Sequence, residues 1–346
     1  MKRIYLDHNA TTPLRPEARQ AMIAAMDVVG NPSSVHAEGR AALGVIQKAR
    51  RQIAAAFGAE GADIVFTSGA TEAAAMALAG RGIYAAETEH DAVAAWCATD
   101  LAVGRDGLVT VPAPAQSSVQ AAHSETGIVQ SLPDGLFATD ATQAFGKLPF
   151  SFNWCGADMA FISAHKLGGP KGVGALVLKR GTDIAPLLKG GGQEMGRRSG
   201  TENVPGIAGF GAAAEAAARD LDAKKWARVE ELRDILENTL AESAKDTIFV
   251  GKDGPRLPNT SCFITPGWKG ETQVMVMDLA GFAVSAGSAC SSGKVKASRS
   301  LKAMGYSDTE AASALRVSLG MDTTREEVEA FAAAWLKEEA RFRARA

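Results

Sequence analysis

The chain has 346 residues, 46% of them hydrophobic, enough to bury a large core in two domains or one large one. Its 37 Lys and Arg nearly balance 39 Asp and Glu, which argues against nucleic acid or an acidic membrane surface as a partner. Cys97, Cys155, Cys262 and Cys290 include no CxxC pair, which argues against a local metal centre and a disulfide framework.

The opening MKRIYLDHNATTP lacks the apolar stretch of a secretory signal, and no apolar run reaches membrane-spanning length. A cytoplasmic protein with reduced thiols is therefore expected. Next, ADIVFTS (62–68) is a short apolar run closing in Thr-Ser-Gly, and GATEAAAMALAG continues it with helix formers. GLFATDA (135–141), DMAFISA (158–164) and GVGALVLKR (172–180) are further strand-like runs. The alternation predicts an α/β fold, with a mostly parallel central sheet and a site at its carboxyl edge.

A helical stretch starts near 206. Trp226, Val229, Leu232, Ile235, Leu236 and Leu240 recur at spacings of three and four, as one helix face requires. A domain change is placed near 222. LPNTSCFIT, the helix-like ETQVMVMDLAG, SAGSACSSGKV and ALRVSLG follow. In the closing helix Thr324 and Glu327 have capping-box spacing, and Val328, Phe331 and Trp335 form the apolar stripe. Cys262, in a strand-like run, and Cys97, after a helical one, are expected in the core. For Cys155, core and surface both stay open. Cys290 has only Ser, Gly, Ala and Lys around it and little to pack against.

Lys166 follows a strand directly and precedes a glycine-rich turn in FISAHKLGGPKGVG. An amine at such a strand end, beside His165 and Ser163, suits a Schiff base with an aldehyde cofactor. The turn does not match a P-loop, because no Ser or Thr follows the lysine. Asp140 ends another strand, with Gln143 three residues on, and a carboxylate there would keep a pyridine nitrogen protonated. TSGATE ends a strand and opens a helix, so its free N–H groups and the Thr71 hydroxyl suit a phosphate. His90, in TEHDAV, adds an imidazole able to stack and move protons.

YLDHNATTP, GNPSSVHAEGR, FTSGATE, ETEHDAV, DATQAFGKLP, SAHKLGGPKGVGAL, GGGQEMGRRSGTEN, LPNTS, SAGSACSSGKV and LRVSLG occur in that order between residue 5 and about 320. Together they resemble the landmarks of the pyridoxal-phosphate cysteine desulfurases, fold-type I enzymes of the class V aminotransferase group. The resemblance implies pyridoxal 5'-phosphate held by Lys166, which also takes the Cα proton of L-cysteine. It implies Asp140 on the pyridinium nitrogen and Gln143 on the ring hydroxyl. Ala70, Thr71, Ser163 and His165 would hold the phosphate, and Thr201 would reach the phosphate of a second subunit in a homodimer. His90 would stack on the ring as acid and base, Asn31 and Arg316 would clamp the substrate carboxylate, and Cys290 would be the nucleophile. Lys294 and Lys296 stand near Cys290 and are expected to be solvated. Residues 14–222 would form a large cofactor domain, and 1–13 with 223–346 a smaller α/β domain carrying a mobile cysteine loop at about 285–300.

The chain departs from that family pattern in four places. HSETG (123–127) replaces an Asn-Asn-Glu-Thr-Gly block, so Ser124 stands where an Asn contacts the cofactor, and His123 is expected to fill space beside the site, an added acid or base being the alternative. Ala75 stands where an Asn is common. VTVPAPAQSSVQ and SLPDG stand where the family has helices, and the link from TEAAAMALAG to YAAETEH is short. Sheet faces left bare there, or covered by a partner or a second subunit, are expected. The expected function is a cysteine desulfurase that makes alanine, stores sulfur as a Cys290 persulfide and hands it to an acceptor or scaffold protein for iron–sulfur cluster assembly or tRNA thiolation. A selenocysteine lyase, an aminotransferase, and a trimmed relative acting as a scaffold or needing a partner are the alternatives. No metal, direct nucleic-acid contact or membrane is expected.

Overall fold

The structure, a computed structural model, describes residues 3–287 and 297–345. In chain order the first half holds β1 (Ile4–Tyr5), α1 (Pro16–Met26), α2 (Ala37–Phe57), β2 (Asp63–Thr67), α3 (Ala70–Leu78), β3 (Tyr84–Ala86), α4 (Asp91–Ala94), β4 (Ala98–Leu101), β5 (Leu136–Asp140), β6 (Ala157–Ser163) and β7 (Gly174–Leu178). The second half holds α5 (Val204–Asp222), α6 (Lys225–Ser243), β8 (Ile248–Phe249), β9 (Thr260–Ile264), α7 (Gly270–Leu279), β10 (Phe282–Ala283), β11 (Ser285–Ala286), α8 (Arg299–Ala303), α9 (Asp308–Ala312), β12 (Ala314–Ser318) and α10 (Arg325–Arg343).

β2, β7, β6 and β5 lie side by side. Beyond β5 the sheet continues through the extended segment 117–121, whose Ser118 bridges Ala138 in parallel, and then to β3 and β4, also parallel. The sheet is thus mostly parallel, as expected, with β7 reversed against both neighbours. The reversal follows from chain length. Only residues 164–173 separate β6 from β7, and a parallel return takes about a dozen residues or more, usually as a helix.

Helices cover both faces of this sheet. Ile46, Ile53 and Phe57 of α2 and Phe210, Ala213 and Ala214 of α5 pack on one face. Ala73, Ala74, Ala77 and Leu78 of α3 pack on the other, against Val65, Met159, Phe161 and Leu176. The Phe57 ring sits against Phe145, Phe150 and Phe152. Burying such a ring contributes about 2–3 kcal/mol. α2 starts on a His36 cap and stops at Gly58, whose φ of 58° is the left-handed cap glycine tolerates best.

Between α4 and β5 a single 3-10 turn, Pro114–Gln116, replaces a helix, and residues 131–135 form none. The sheet is nevertheless not left bare there, contrary to expectation. Val103, Val109, Val111 and Leu132 pack over Val119, Leu136 and Ala157. An extended stretch with valines at alternate positions covers a sheet face with fewer residues than a helix needs.

A second core lies between α6, α7 and α10 and an antiparallel sheet of order β11-β12-β9-β8. Val229, Leu232, Leu236 and Leu240 of α6 and Val328, Phe331 and Trp335 of α10 are buried in it, as their spacing predicts. Thr324 and Glu327 form the expected capping box. α5 and α6 are separated at Ala223–Lys224, where Lys224 takes a left-handed conformation with φ 53°. The N-terminal strand belongs to this second region, with Leu6 bonded to both Ala283 and Ser318. The chain then crosses back to the first sheet, where Thr12 N donates to His165 O and Arg15 N to Gly168 O. Residues 7–15 are therefore a strap between the two sheets.

Candidate active site

β6 ends in a 3-10 turn, Ala164–Lys166, that closes through Leu167 N and Gly169 N to Ala164 O. The strap holds this turn from outside. Arg15 Nε donates to Leu167 O at 2.8 Å, while Arg15 is anchored to Asp220 at 2.6 Å. Lys166 Nζ donates to Asn9 O at 2.6 Å and Ala10 O at 2.9 Å. His165 Nδ1 lies 3.2 Å from Thr11 Oγ1, and burial together with the Lys166 cation pushes its pKa down to about 4. His165 is thus a neutral hydrogen-bonding group.

β5 runs parallel to β6, with Asp140 opposite Phe161, so Asp140 ends beside the lysine turn. Asp140 Oδ1 accepts from Thr142 N at 2.9 Å, which fixes its rotamer. Glu89 is buried nearby, and burial with the Asp140 charge raises its pKa well above the usual carboxylate range. Ser163 is buried at the end of β6. Ala70 and Thr71 open α3, whose first-turn N–H groups have no acceptor within the helix. His90 caps α4, its Nδ1 accepting from Ala92 N at 3.1 Å, so a neutral His90 carries its proton on Nε2.

Gln143 is buried on the turn after β5. Its Nε2 donates to Asn9 O at 3.0 Å, and its Oε1 accepts from Lys147 Nζ. Asn9 is the meeting point. Its Oδ1 accepts from Lys147 Nζ at 2.9 Å and Asn259 Nδ2 at 3.1 Å, and its Nδ2 donates to Thr260 Oγ1 and to Ser124 O. A cavity of about 320 Å³ runs against Lys166 and Lys147, lined also by His8, Asn259 and Trp226.

Arg316, on β12, reaches the same place from the second sheet. Its Nη2 bonds Asp7 Oδ1 at 2.7 Å, its Nη1 donates to Ser124 O at 3.1 Å, and its Nε is buried without a partner among the described residues. Ser124 O thus receives both Asn9 Nδ2 and Arg316 Nη1, so Ser124 enters the cluster through its backbone carbonyl.

Of the sequence-derived residues, Lys166, Gln143 and Arg316 are joined by hydrogen bonds through Asn9 and Ser124, and Asp140, Ser163 and His165 lie at the adjoining strand ends. Asn31 is exposed on the loop between α1 and α2, its Oδ1 accepting from Ser33 N, and no described bond ties it to the cluster. Thr201 is exposed and lines a pocket of about 140 Å³ with Thr67, Ser68 and Arg198, at the end of β2. Cys290, with Lys294 and Lys296, lies outside the described residues. Cys262 is buried in β9, as expected, while Cys97 and Cys155 are half-buried.

His123 is more than space-filling. It is buried, with Nδ1 2.8 Å from Thr126 Oγ1 and Nε2 3.0 Å from Ser300 Oγ. Burial, then the Arg316, His90 and Arg299 charges, push its pKa down to about 3. Sequence reasoning missed Asp7, Asn9 and Lys147. A lysine inside the apolar AFGKLPF run was the available signal, because lysine is rarely buried without partners.

An aminotransferase class-V family model matches residues 4–104 and 113–331. A cysteine desulfurase of Cereibacter sphaeroides is 40% identical, the match covering 95% of this chain and 94% of that protein. A cysteine desulfurase IscS of Dictyoglomus turgidum is 38% identical over 95% and 92%. Among solved structures, a NifS-like protein from Rickettsia africae superposes with a TM-score of 0.88 at 31% identity, covering 98% of this chain and 99% of that one. The fold is that of a class-V aminotransferase, and the chain belongs to that family. Its activity is that of the cysteine desulfurases.

Proposed function

We propose that this desulfurase holds pyridoxal 5'-phosphate on Lys166 and converts L-cysteine to alanine, with Cys290 receiving the sulfur as a persulfide. One observation supports this best: an amine and a guanidinium are held in one hydrogen-bonded cluster, each on one of two linked residues. Lys166 bonds Asn9 O, Arg316 bonds Ser124 O, and Asn9 Nδ2 links the two. A free α-amino acid carries a carboxylate beside its amino group, and the guanidinium offers that carboxylate a partner while the lysine amine stands close by. The orphan Nε of Arg316 is a donor a carboxylate would satisfy.

The donor set fits the cofactor. Asp140 would pair with its ring nitrogen, Gln143 Nε2 with its ring hydroxyl, and Ala70, Thr71, Ser163 and His165 with its phosphate; Ser124 completes the set, and Thr201 serves the phosphate of a second subunit in a homodimer. Bound there, the cofactor supplies an electron sink for the substrate Cα. Lys166 then takes the Cα proton, and Arg316 with Asn31 orients the carboxylate. His90, its Nε2–H exposed, moves the proton near sulfur. The Cys290 thiolate forms an S–S bond as the substrate C–S bond breaks, and the carbon keeps the electron pair and gains a proton to become alanine.

The working unit in this reading is a large domain, 14–222, and a small one, 1–13 with 223–346. The persulfide passes to an acceptor protein in the cytoplasm, for iron–sulfur cluster assembly or tRNA thiolation. The test is single turnover of the cofactor-loaded protein with L-cysteine, measuring alanine and the mass added at Cys290. Lys166→Ala is expected to release no alanine, and Cys290→Ser to carry no persulfide. Alanine release that depends on an added keto acid would overturn the reading in favour of transamination.

A further inference from the structure

Lys147 is buried and not used in the reaction as described. Burying an ammonium is costly, and an apolar side chain would fill the same space at less cost. Both acceptors it reaches belong to the site. Its Nζ donates to Gln143 Oε1 at 2.5 Å and Asn9 Oδ1 at 2.9 Å. Asn9 O in turn receives Gln143 Nε2 and Lys166 Nζ. Lys147, Gln143 and Asn9 therefore close a ring, through the Asn9 backbone carbonyl, in which each amide has one orientation only. A carboxamide can turn its oxygen or its nitrogen toward a given neighbour, and the partners decide which.

We propose that Lys147 is a positioning residue of this site: by occupying Gln143 Oε1 it makes Gln143 present a donor, not an acceptor, to the cofactor ring. With Oε1 turned to Lys147 and one N–H on Asn9 O, the second N–H of Nε2 is the donor Gln143 has left to offer. Gln143 therefore binds an oxygen that carries negative charge and rejects one that carries a proton it must donate. Lys147 also holds Asn9, and so the carbonyl on which Lys166 rests. The charged groups facing Lys147 are Lys166 and Arg316, with the His8 imidazole alongside, and burial with those two cations lowers its pKa well below the ordinary lysine value. It donates to Gln143 Oε1 in either protonation state.

This inference rests on the assignment of Gln143 to the cofactor ring. Its test is the pH titration of the visible absorption band of the cofactor-loaded protein without substrate. In Lys147→Met the amide is free to turn, and the titration midpoint is expected to rise by about one pH unit, because a donor to the ring oxygen is lost. Lys147→Gln keeps a donor for Oε1 and is expected to hold the wild-type midpoint. In a Gln143→Leu background, Lys147→Met is expected to add no further shift, as coupling through Gln143 requires. A wild-type midpoint in Lys147→Met, or a full extra shift in the Gln143→Leu background, would overturn the proposal. If the Met variant does not fold, the Gln variant decides alone, and a one-unit shift in it counts against the proposal. Absence of any visible band in the loaded wild type defeats the cofactor reading instead, which keeps the two failures apart.

Discussion

Ser298 Oγ donates to Glu125 Oε2 at 2.8 Å, and the other oxygen of that carboxyl lies where a side chain on Gly287 would have to go. Ser298 also caps α8, accepting from Leu301 N at 3.1 Å. The next two residues are anchored as well. Arg299 donates to Glu87 O and Glu89 O, just before His90, and Ser300 Oγ meets His123. Residues 298–300 are thus tied to two segments at the first sheet's carboxyl edge, 87–89 and 123–125.

Burial raises the Glu125 pKa to about 7, against smaller lowering effects from Ser298 and Arg316. The folded state therefore holds a proton that the unfolded chain releases near 4.5. Between those values the unfolded state binds fewer protons, so stability falls as pH rises and levels off above about 7. Glu125→Gln is expected to remove that slope, with a relative gain on the order of 3 kcal/mol at pH 8 compared with pH 4.5. Chemical denaturation of both proteins across that range measures it, and parallel curves would contradict the assignment.

His123 moves the other way. Its folded pKa of about 3 lies below the unfolded value, so acid binds to the unfolded chain first and stability falls as pH drops below about 6.5. His123→Asn is expected to reduce the acid slope by up to about 1.4 kcal/mol per pH unit. Because the imidazole stays neutral in the working range, the pH profile of kcat in the variant is expected to match the wild type. A lost limb in that profile would make His123 an acid or base after all.

Asp7 holds Arg316 by one guanidinium nitrogen and accepts from Ser285 Oγ at 2.9 Å. Asp7→Asn keeps the shape and weakens the hold on the fork. Steady-state kinetics are expected to show KM for cysteine rising roughly 10-fold with a smaller change in kcat, a loss of about 1.4 kcal/mol in substrate binding. A fall in kcat alone would place Asp7 in the chemical step.

Gly320 leaves room for the His8 ring: a Cβ there would stand 2.0 Å from His8 Cε1. His8 is itself largely buried, and burial lowers its pKa to about 4. Gly320→Ala is expected to cost about 1–3 kcal/mol by forcing that ring aside. His8→Ala combined with it should recover most of the loss, since the two changes share one space. Thermal or denaturant unfolding of the four proteins gives the cycle.

Much of the candidate site was legible because its signals are local. Lys166, Asp140 and the helix opened by Ala70 each sit at the end of a short apolar run, and polar groups at strand ends mark the working edge of an α/β sheet. Asn9 and Asp7 gave no such sign. Their partners, from Ser124 to Ser318, are far away in sequence, and nothing in HNATTP says that the segment spans two sheets. Asn31 and Thr201 lie on exposed loops, and the described residues of one chain give neither a bond into the cluster.

The sequence by itself determined the succession of strands and helices, the capping of α10 and the place of Lys166 at a strand end, because each depends on neighbours a few residues apart. Only the tertiary structure decided the reversal of β7, the course of residues 7–15 between the sheets, and the burial that keeps His123 neutral. Those outcomes are set by which distant segments pack together and how much water they exclude, and local spacing carries no record of either.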